Sequence, residues 1–322
     1  MPDRTDNSTG AGKGATQRPA SRSRWRLDGG ILVIVLMMFF GVGLVLYPST
    51  AAWVSQYNQS RIVNNYQEEV PEAEPSSAEQ LKLAREYNAK LSSGLLLESG
   101  ANKPTSEGAQ SGEGEDSDSN YENLLSVDSS GMMGRIRIAS IDVDLPIYHG
   151  TSDETLQSGV GHLKGTSLPV GGEGTRSVLT AHRGLSSATL FTNLDKVAEG
   201  DRIVLEILDE VLTYEVIDYE VVDPDETQKL AAVEGKDLLT LVTCTPLGIN
   251  SQRILVTAER VIPTPTADVE ARGQESELPR FPWWAVGILG ALVVGGVVLW
   301  RTGLKKAQAY NARVAGGAGN SQ

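Results

Sequence analysis

The sequence predicts a mainly β protein, a closed β-barrel of seven or eight strands with helices before it and an apolar helix on either side. Two observations lead to this fold class. Between residues 121 and 262, short runs of β-branched and aliphatic residues alternate with turns rich in glycine and proline. Two long apolar segments, 29–48 and 281–300, lie outside that region.

The two apolar segments are predicted to be transmembrane helices, because each approaches the ~20 apolar residues that span a bilayer. Basic residues crowd outside both segments. They are Lys13, Arg18, Arg22, Arg24 and Arg26 before the first and Arg301, Lys305, Lys306 and Arg313 after the second. The positive-inside rule therefore predicts cytoplasmic tails at 1–28 and 301–322 and an extracytoplasmic region between the helices. A cleaved signal peptide is the alternative for the first segment, since Ser49-Thr50-Ala51 offers small residues for cleavage.

The charge of the exported region limits its partners. Outside the two tails remain 18 of the 28 basic and 38 of the 41 acidic residues, a formal net charge of −20. Such a surface repels nucleic acid, so no nucleic-acid function is expected.

The exported region begins with predicted helices. Apolar and aromatic residues recur at helical spacing in 51–69 and, after a break at 71–75, in 77–97, which gives a helical membrane-proximal region over 49–97. Residues 98–120 are mainly Ser, Gly, Asp and Glu and predict a flexible acidic insert. The barrel follows at 121–262, and the polar residues 263–280 are predicted to be a linker.

Seven β runs are predicted within the barrel region. They are Arg135–Ile141, Asp144–Tyr148, Ser177–Ala181, Arg202–Leu208, Leu212–Val222, Leu238–Thr243 and Arg253–Arg260. Short strands in this number, separated by Gly and Pro turns, are typical of a closed barrel.

Three residues at strand ends are candidates for catalysis. Cys244, the one cysteine of the chain, ends a predicted strand and has no partner for an intrachain disulfide. A buried core thiol is the alternative for it. His182 ends a second strand and can act as base or cationic partner for the thiol. Arg253 begins the strand after the Cys244 turn, and its guanidinium is suited to an oxyanion.

At these residues the chain resembles the sortases, the cysteine transpeptidases of Gram-positive cell surfaces. The segment Thr240-Leu241-Val242-Thr243-Cys244 matches their Thr-Leu-x-Thr-Cys signature, and Arg253 stands where their arginine follows. Flanking motifs resemble class C, the pilus-building subfamily. They are Leu145-Pro146-Ile147-Tyr148-His149-Gly150-Thr151, Gly165-Thr166-Ser167-Leu168-Pro169-Val170-Gly171-Gly172 and Ala181-His182-Arg183-Gly184-Leu185. The resemblance extends over about residues 120–262 and implies a sortase-type barrel.

The resemblance also implies a reaction. Cys244 would attack a Leu-Pro-x-Thr-Gly-like sorting signal of a surface protein or pilin, Arg253 would stabilise the oxyanion, and His182 would protonate the leaving amine. The acyl group would pass to a pilin lysine or a peptidoglycan precursor. Two alternatives stay open: an exported cysteine hydrolase or L,D-transpeptidase acting on peptidoglycan, and a non-catalytic membrane-anchored scaffold. Membrane lipid is an expected partner, and no cofactor is expected.

Other residues are expected to be structural. His149 and His162 lie at strand ends, and no pair of histidines shows the spacing of metal ligands, so no metal site is predicted. Arg183 is expected at the surface, as is usual for an arginine at a strand end, and a role in tuning the site beside His182 is the alternative. Class C sortases usually carry a lid with an Asp-Pro-aromatic motif, which this chain lacks. The polar run 115–120 offers no apolar anchor, so a mobile or absent lid is predicted within 98–120.

Overall fold

The computed structural model describes residues 29–92, 121–127 and 130–317, so the predicted insert at 98–120 and its lid lie outside the described residues. The chain divides into two compact units. One consists of residues up to Val45 and from Val286 onwards, and the other is Leu46–Ala285. The second unit contains the barrel and every candidate catalytic residue.

Eight strands close into a barrel in the order β1-β2-β3-β4-β7-β8-β6-β5. They are β1 (Met132–Ile138), β2 (Val143–His149), β3 (Val160–His162), β4 (Thr175–Thr180), β5 (Arg202–Ile207), β6 (Glu210–Val222), β7 (Asp237–Thr245) and β8 (Gln252–Arg260). The pairs β2–β3 and β4–β7 are parallel and the others are antiparallel. The predicted closed barrel is therefore confirmed.

Strand β3 and the end of β1 differ from the sequence-based expectation, and the other strand ends agree with it to within three residues. Strand β3 was not predicted, because three residues are too few to show a period of two. Strand β1 was predicted to reach Ile141 but ends at Ile138. Residues Ala139–Ile141 form a 3-10 turn that leads into Asp142, whose φ of 55° is left-handed and ends the extended run.

Apolar side chains on one face of each strand fill the barrel, as the alternation of strand residues requires. Fully buried members are Ile136, Ile138, Ile147, Leu179, Leu205, Leu239, Leu241, Val256 and Ala258. Each large side chain buried in this way contributes about 1.5–3 kcal/mol relative to an exposed one. This interior fixes which face of β4, β7 and β8 points outward.

In the described part of the chain, five complete α-helices accompany the barrel. They are α1 (Gly29–Glu69), α2 (Ser77–Ser92), α3 (Asp153–Ser158), α4 (Thr266–Glu270) and α5 (Trp283–Gly317). Helix α1 runs without interruption through Pro48. The hydroxyl groups of Ser49 and Thr50 both donate to the Leu46 carbonyl at this turn.

The last turns of α1 pack on the barrel. Val63 and Tyr66 are buried there. The Tyr66 hydroxyl donates to the Met133 carbonyl at 2.9 Å and accepts from the Leu208 backbone N–H at 2.9 Å. Because Met133 lies in β1 and Leu208 follows β5, this hydroxyl joins the helix to two neighbouring strands.

Residues 271–280, here called the C-terminal strap, are hydrogen-bonded to α1 and the barrel. Gly273 N–H donates to Glu206 Oε2 at 3.1 Å, and the Gln274 carbonyl accepts from Arg135 Nη1 at 2.8 Å. Further along, the Leu278 carbonyl accepts from the Ser60 hydroxyl at 2.7 Å. The segment predicted as a linker is thus attached along its length.

The two long apolar helices have the length and composition needed to cross a membrane. Within the apolar unit they contact each other, since a Cβ atom added to Gly295 would lie 2.8 Å from Phe39 Cζ and 3.3 Å from Val35 Cγ1. A small residue at this contact lets the two helices approach closely.

Candidate active site

The thiol of Cys244 lies near the end of β7, in a partly buried position. The preceding residues Leu238–Thr243 are all buried, as the aliphatic and β-branched run predicts. Leu239 and Leu241 point into the barrel, so Val242 and Cys244 belong to the outer face by alternation. The cysteine is therefore at the surface of the barrel and not in its core.

Arg253 is the direct cross-strand partner of Cys244. The antiparallel register of β7 and β8 pairs these two residues. Side chains of directly opposed residues leave the sheet on the same face with Cβ atoms about 4.5–5.5 Å apart. Arg253 Nη1 donates to the Asn250 carbonyl at 2.9 Å and to the Gln252 carbonyl at 3.0 Å. These bonds hold the guanidinium at the base of the β7–β8 turn.

His182 lies on the other side of Cys244, two residues beyond β4. The parallel register pairs Thr180 with Val242, so His182 and Cys244 are each two residues past a paired position. Two bonds extend the pairing between them. Ala181 N–H donates to the Val242 carbonyl at 3.2 Å, and the Thr243 hydroxyl donates to the Ala181 carbonyl at 2.7 Å.

The three predicted site residues therefore come from adjacent strand ends, in the order His182, Cys244, Arg253. Neighbouring strands in a sheet lie about 4.8 Å apart, so the two outer residues stand one strand to either side of the thiol. This order places a possible acid/base on one side of the sulfur and a permanent cation on the other.

An apolar cluster lies beside the thiol on the same outer face. It consists of Val178, Val222, Val242 and Leu255 and is separate from the barrel interior. Leu163 and Leu230 pack against it. Val242 is two residues from Cys244 on this face, and all four members of the cluster are buried.

The other two histidines have structural partners, as expected. His162 is fully buried, and burial lowers its pKa to about 4. Its Nδ1 is 2.8 Å from the Tyr121 hydroxyl and its Nε2 is 2.9 Å from the Ser167 carbonyl. Burial also lowers the pKa of His149, although the carbonyls of Gly131 and Leu124 near its ring nitrogens oppose the shift. Neither of these imidazoles is part of the group formed by His182, Cys244 and Arg253.

Among residues 29–92, 121–127 and 130–317, no group of three His, Cys, Asp or Glu side chains is arranged to hold a metal ion.

The side chain of Arg183 is largely buried, contrary to the surface position expected for it. Its side chain is 7% exposed and forms an ion pair with Asp195 at 2.6 Å. The same guanidinium donates to the Thr192 carbonyl and the Thr245 hydroxyl. These contacts could not be predicted from local sequence, because the partners lie 9, 12 and 62 residues further along the chain.

Comparison with known proteins identifies the family. The sortase domain family matches residues 136–261. Sortase D of Bacillus subtilis (strain 168) is 32% identical over 131 residues, which are 40% of this chain and 63% of the relative. Sortase A of Bacillus anthracis is 30% identical over 136 residues, 42% of this chain and 63% of that protein. The chain thus spans less than two thirds of the length of these curated relatives.

Solved structures match over more of their length. Sortase C-1 from Actinomyces oris is 46% identical with a TM-score of 0.52, and the match covers 57% of this chain and 97% of that one. Sortase C1 from Streptococcus agalactiae is 39% identical with a TM-score of 0.56, covering 64% of this chain and 100% of that one. The chain belongs to the sortase family. The resemblance to class C is confirmed, since these structural neighbours are class C sortases.

Proposed function

We propose that the protein is a membrane-anchored cysteine transpeptidase that cleaves a Leu-Pro-x-Thr-Gly-like sorting signal and transfers the acyl group to an amine. The observation that carries this proposal is the register of β4, β7 and β8, which sets Cys244 between His182 and Arg253. Membership of the sortase family supports the same chemistry.

In the first half of the reaction, the Cys244 thiolate attacks the carbonyl carbon of the signal threonine. The carbonyl electron pair moves to oxygen, and the Arg253 guanidinium stabilises the resulting anion. When the carbonyl reforms, the threonine–glycine bond breaks and the leaving amine takes a proton from the His182 imidazolium. The product is a thioester between Cys244 and the threonine.

In the second half, an incoming amine attacks the thioester carbon. It gives a proton to the neutral His182 imidazole, and the Cys244 thiolate leaves. The enzyme returns to its starting protonation state, and a new amide bond replaces the one cleaved. No oxidant, metal or nucleotide takes part in this balance.

We propose that the acceptor is a pilin lysine. Two structural neighbours support pilus assembly. The structure of Streptococcus pneumoniae sortase C is described as giving insight into pilin substrate specificity, and a Streptococcus agalactiae sortase C1 is ascribed to a pilus island. A peptidoglycan precursor is the competing acceptor, and the two differ in the amine that must be added to the assay.

We propose that 29–48 and 281–300 cross the membrane, with the tails 1–28 and 301–322 in the cytoplasm and the catalytic region 121–262 outside. The suitability of both helices for a membrane supports this arrangement. Enzyme and membrane-bound substrate would then share one surface, which raises their effective concentration.

The proposal is tested with the full chain in detergent micelles, sorting-signal peptides and two acceptors, a pilin-derived lysine peptide and a peptidoglycan stem peptide. The expected product is a peptide joined through threonine to the lysine peptide. A product joined to the stem peptide would instead indicate wall anchoring, and release by water alone would indicate a hydrolase. No cleavage of any signal peptide would contradict the transpeptidase.

A further inference from the structure

Arg183 connects the two chain segments that contain the proposed acid/base and the nucleophile. All three nitrogens of its guanidinium are used. Nε donates to the Thr192 carbonyl at 3.2 Å, Nη1 donates to the Thr245 hydroxyl at 3.1 Å, and Nη2 pairs with Asp195. Thr192 and Asp195 belong to the loop after His182, whereas Thr245 ends β7.

The position of this contact in the fold is specific. Arg183 directly follows His182, and Thr245 directly follows Cys244. The backbone register of β4 and β7 ends at Thr180 and Val242, so both proposed catalytic residues lie beyond the last paired position. Within the part of the chain that the structure describes, the Arg183–Thr245 bond is the one hydrogen bond between segments 182–184 and 244–245.

We propose that Arg183 is a positioning residue for the transfer reaction, acting through the Thr245 hydroxyl to fix Cys244 relative to His182. This inference rests on the transpeptidase proposed above. Proton transfer needs the reacting groups within hydrogen-bond reach, and a displacement of about 1 Å lowers rates by up to about 100-fold. The hydrogen bonds and the ion pair of Arg183 go to Thr192, Thr245 and Asp195 and not to the thiol or the imidazole, so its effect is one of geometry.

The charge of Arg183 is compensated within the same contact network. The Arg183 side chain is 7% exposed, and the Asp195 side chain, at 39% exposure, supplies the opposite charge. Removal of the Thr245 hydroxyl therefore leaves the ion pair in place and deletes only the connection to β7. Substitution of Thr245 therefore tests the connection to β7 alone, whereas substitution of Arg183 would also break the ion pair with Asp195.

The decisive comparison is Thr245→Val with Thr245→Ser, measured as kcat and KM for peptide transfer by the full chain. Valine keeps the shape and loses the hydroxyl, so kcat should fall about tenfold with KM within about twofold. Serine keeps the hydroxyl and should restore kcat to within about threefold. In Arg183→Met, the further change Thr245→Val should have no added effect, because the partner is already gone.

Thr240→Val is the matched control. Thr240 lies on the same strand, five residues before Thr245, and its hydroxyl accepts from another buried arginine, Arg176, at 2.9 Å. Loss of that bond should lower Tm and leave kcat within about twofold. A structural effect of losing any buried arginine–threonine bond would lower kcat in both valine variants alike.

Three results would overturn the positioning role: an unchanged kcat in Thr245→Val, an equal loss in the serine and valine variants, or a loss confined to KM. Each presupposes that the unaltered protein turns over the peptide. Failure of the unaltered protein to do so would overturn the transpeptidase and this inference together, so the two failures are distinguishable.

Discussion

Glu206 offers a sharp test of how the barrel is held together, because its carboxylate is fully buried beside two arginines. Arg137 Nη2 is 3.0 Å and Arg135 Nη1 is 3.6 Å from Glu206 Oε1. The other oxygen accepts from Gln67 Nε2 at 3.0 Å and from the Gly273 N–H. The change Glu206→Gln preserves the shape and removes the negative charge.

The expected loss of stability in Glu206→Gln follows from the charges of Arg135 and Arg137, which remain when the carboxylate is removed. Asp144 holds Arg135 by two bonds of 2.7 Å and alone cannot compensate two guanidinium groups. Burial alone would lower the pKa of Arg135, but its hydrogen bond to Asp144 and the charges of Asp144 and Glu206 raise it, so its charge stays. Breaking a buried pair on one side typically costs about 3–5 kcal/mol. Because Arg137 is 21% exposed and can be partly solvated, the lower end, about 3 kcal/mol, is expected.

The measurement is denaturant unfolding of the full chain in micelles, followed by near-UV circular dichroism of the tyrosines in the barrel region, because no tryptophan lies in residues 121–262. The change is taken from the midpoint at constant slope. Asp142→Asn is the matched control. It removes the charge from an exposed pair with Arg280, where the two side chains are 52% and 75% exposed. Such a pair contributes about 0–1 kcal/mol, and asparagine tolerates the left-handed backbone of residue 142. A Glu206→Gln protein within 1 kcal/mol of the unaltered one would refute the reasoning.

Five further predictions follow from the site and the fold. Arg253→Ala should lower kcat by roughly 100-fold with little change in substrate affinity, since one oxyanion donor contributes about 2.7–4 kcal/mol; a change in KM alone would make it a binding residue. Gly134→Ala should lower Tm in a melting experiment, because the new Cβ would lie 2.5 Å from the Glu206 carbonyl oxygen, which is backbone; an unchanged Tm would contradict this. Burial lowers the pKa of His162 from 6.5 to about 4, so the unfolded chain binds a proton between pH 6.5 and 4 that the folded protein does not. The free energy of unfolding should therefore fall by about 3 kcal/mol over that pH range, and His162→Asn should remove this part of the pH dependence. A cysteine placed at Ser8 or Ser321 in a Cys244→Ala background should resist a membrane-impermeant thiol reagent in intact cells, and labelling there would contradict two spans. Deletion of 105–120 should change the labelling rate of Cys244 by less than about threefold, since closure worth 1.4 kcal/mol would already give tenfold.

Much of the barrel could be predicted from the sequence because its strands carry a local signal. Runs of aliphatic and β-branched residues defined β7 and β8, and the short turn between them predicted that Cys244 and Arg253 would lie on neighbouring strands. The position of His182 beside this hairpin could not be predicted from strand periodicity. It depends on a parallel β4–β7 contact across 62 residues, which the motif resemblance implied and strand periodicity alone did not.

The features that escaped prediction depend on distant partners. Arg183 was expected at the surface, since its ion pair with Asp195 and bond to Thr245 exist only in the folded chain. The polar composition of the C-terminal strap predicts a linker, yet its backbone groups satisfy buried charges such as Arg135 and Glu206. A buried polar group needs a partner, but the sequence does not say which one.

The central claim is that Cys244 carries the acyl group, and trapping that intermediate tests it most directly. The full chain is mixed with a sorting-signal peptide in the absence of an acceptor amine, quenched in acid, digested and examined by mass spectrometry. The account predicts a peptide containing Cys244 whose mass is raised by the signal up to its threonine, released by hydroxylamine and absent from Cys244→Ala. Cleavage of the signal by Cys244→Ala at the rate of the unaltered protein, or an adduct on another residue, would contradict it.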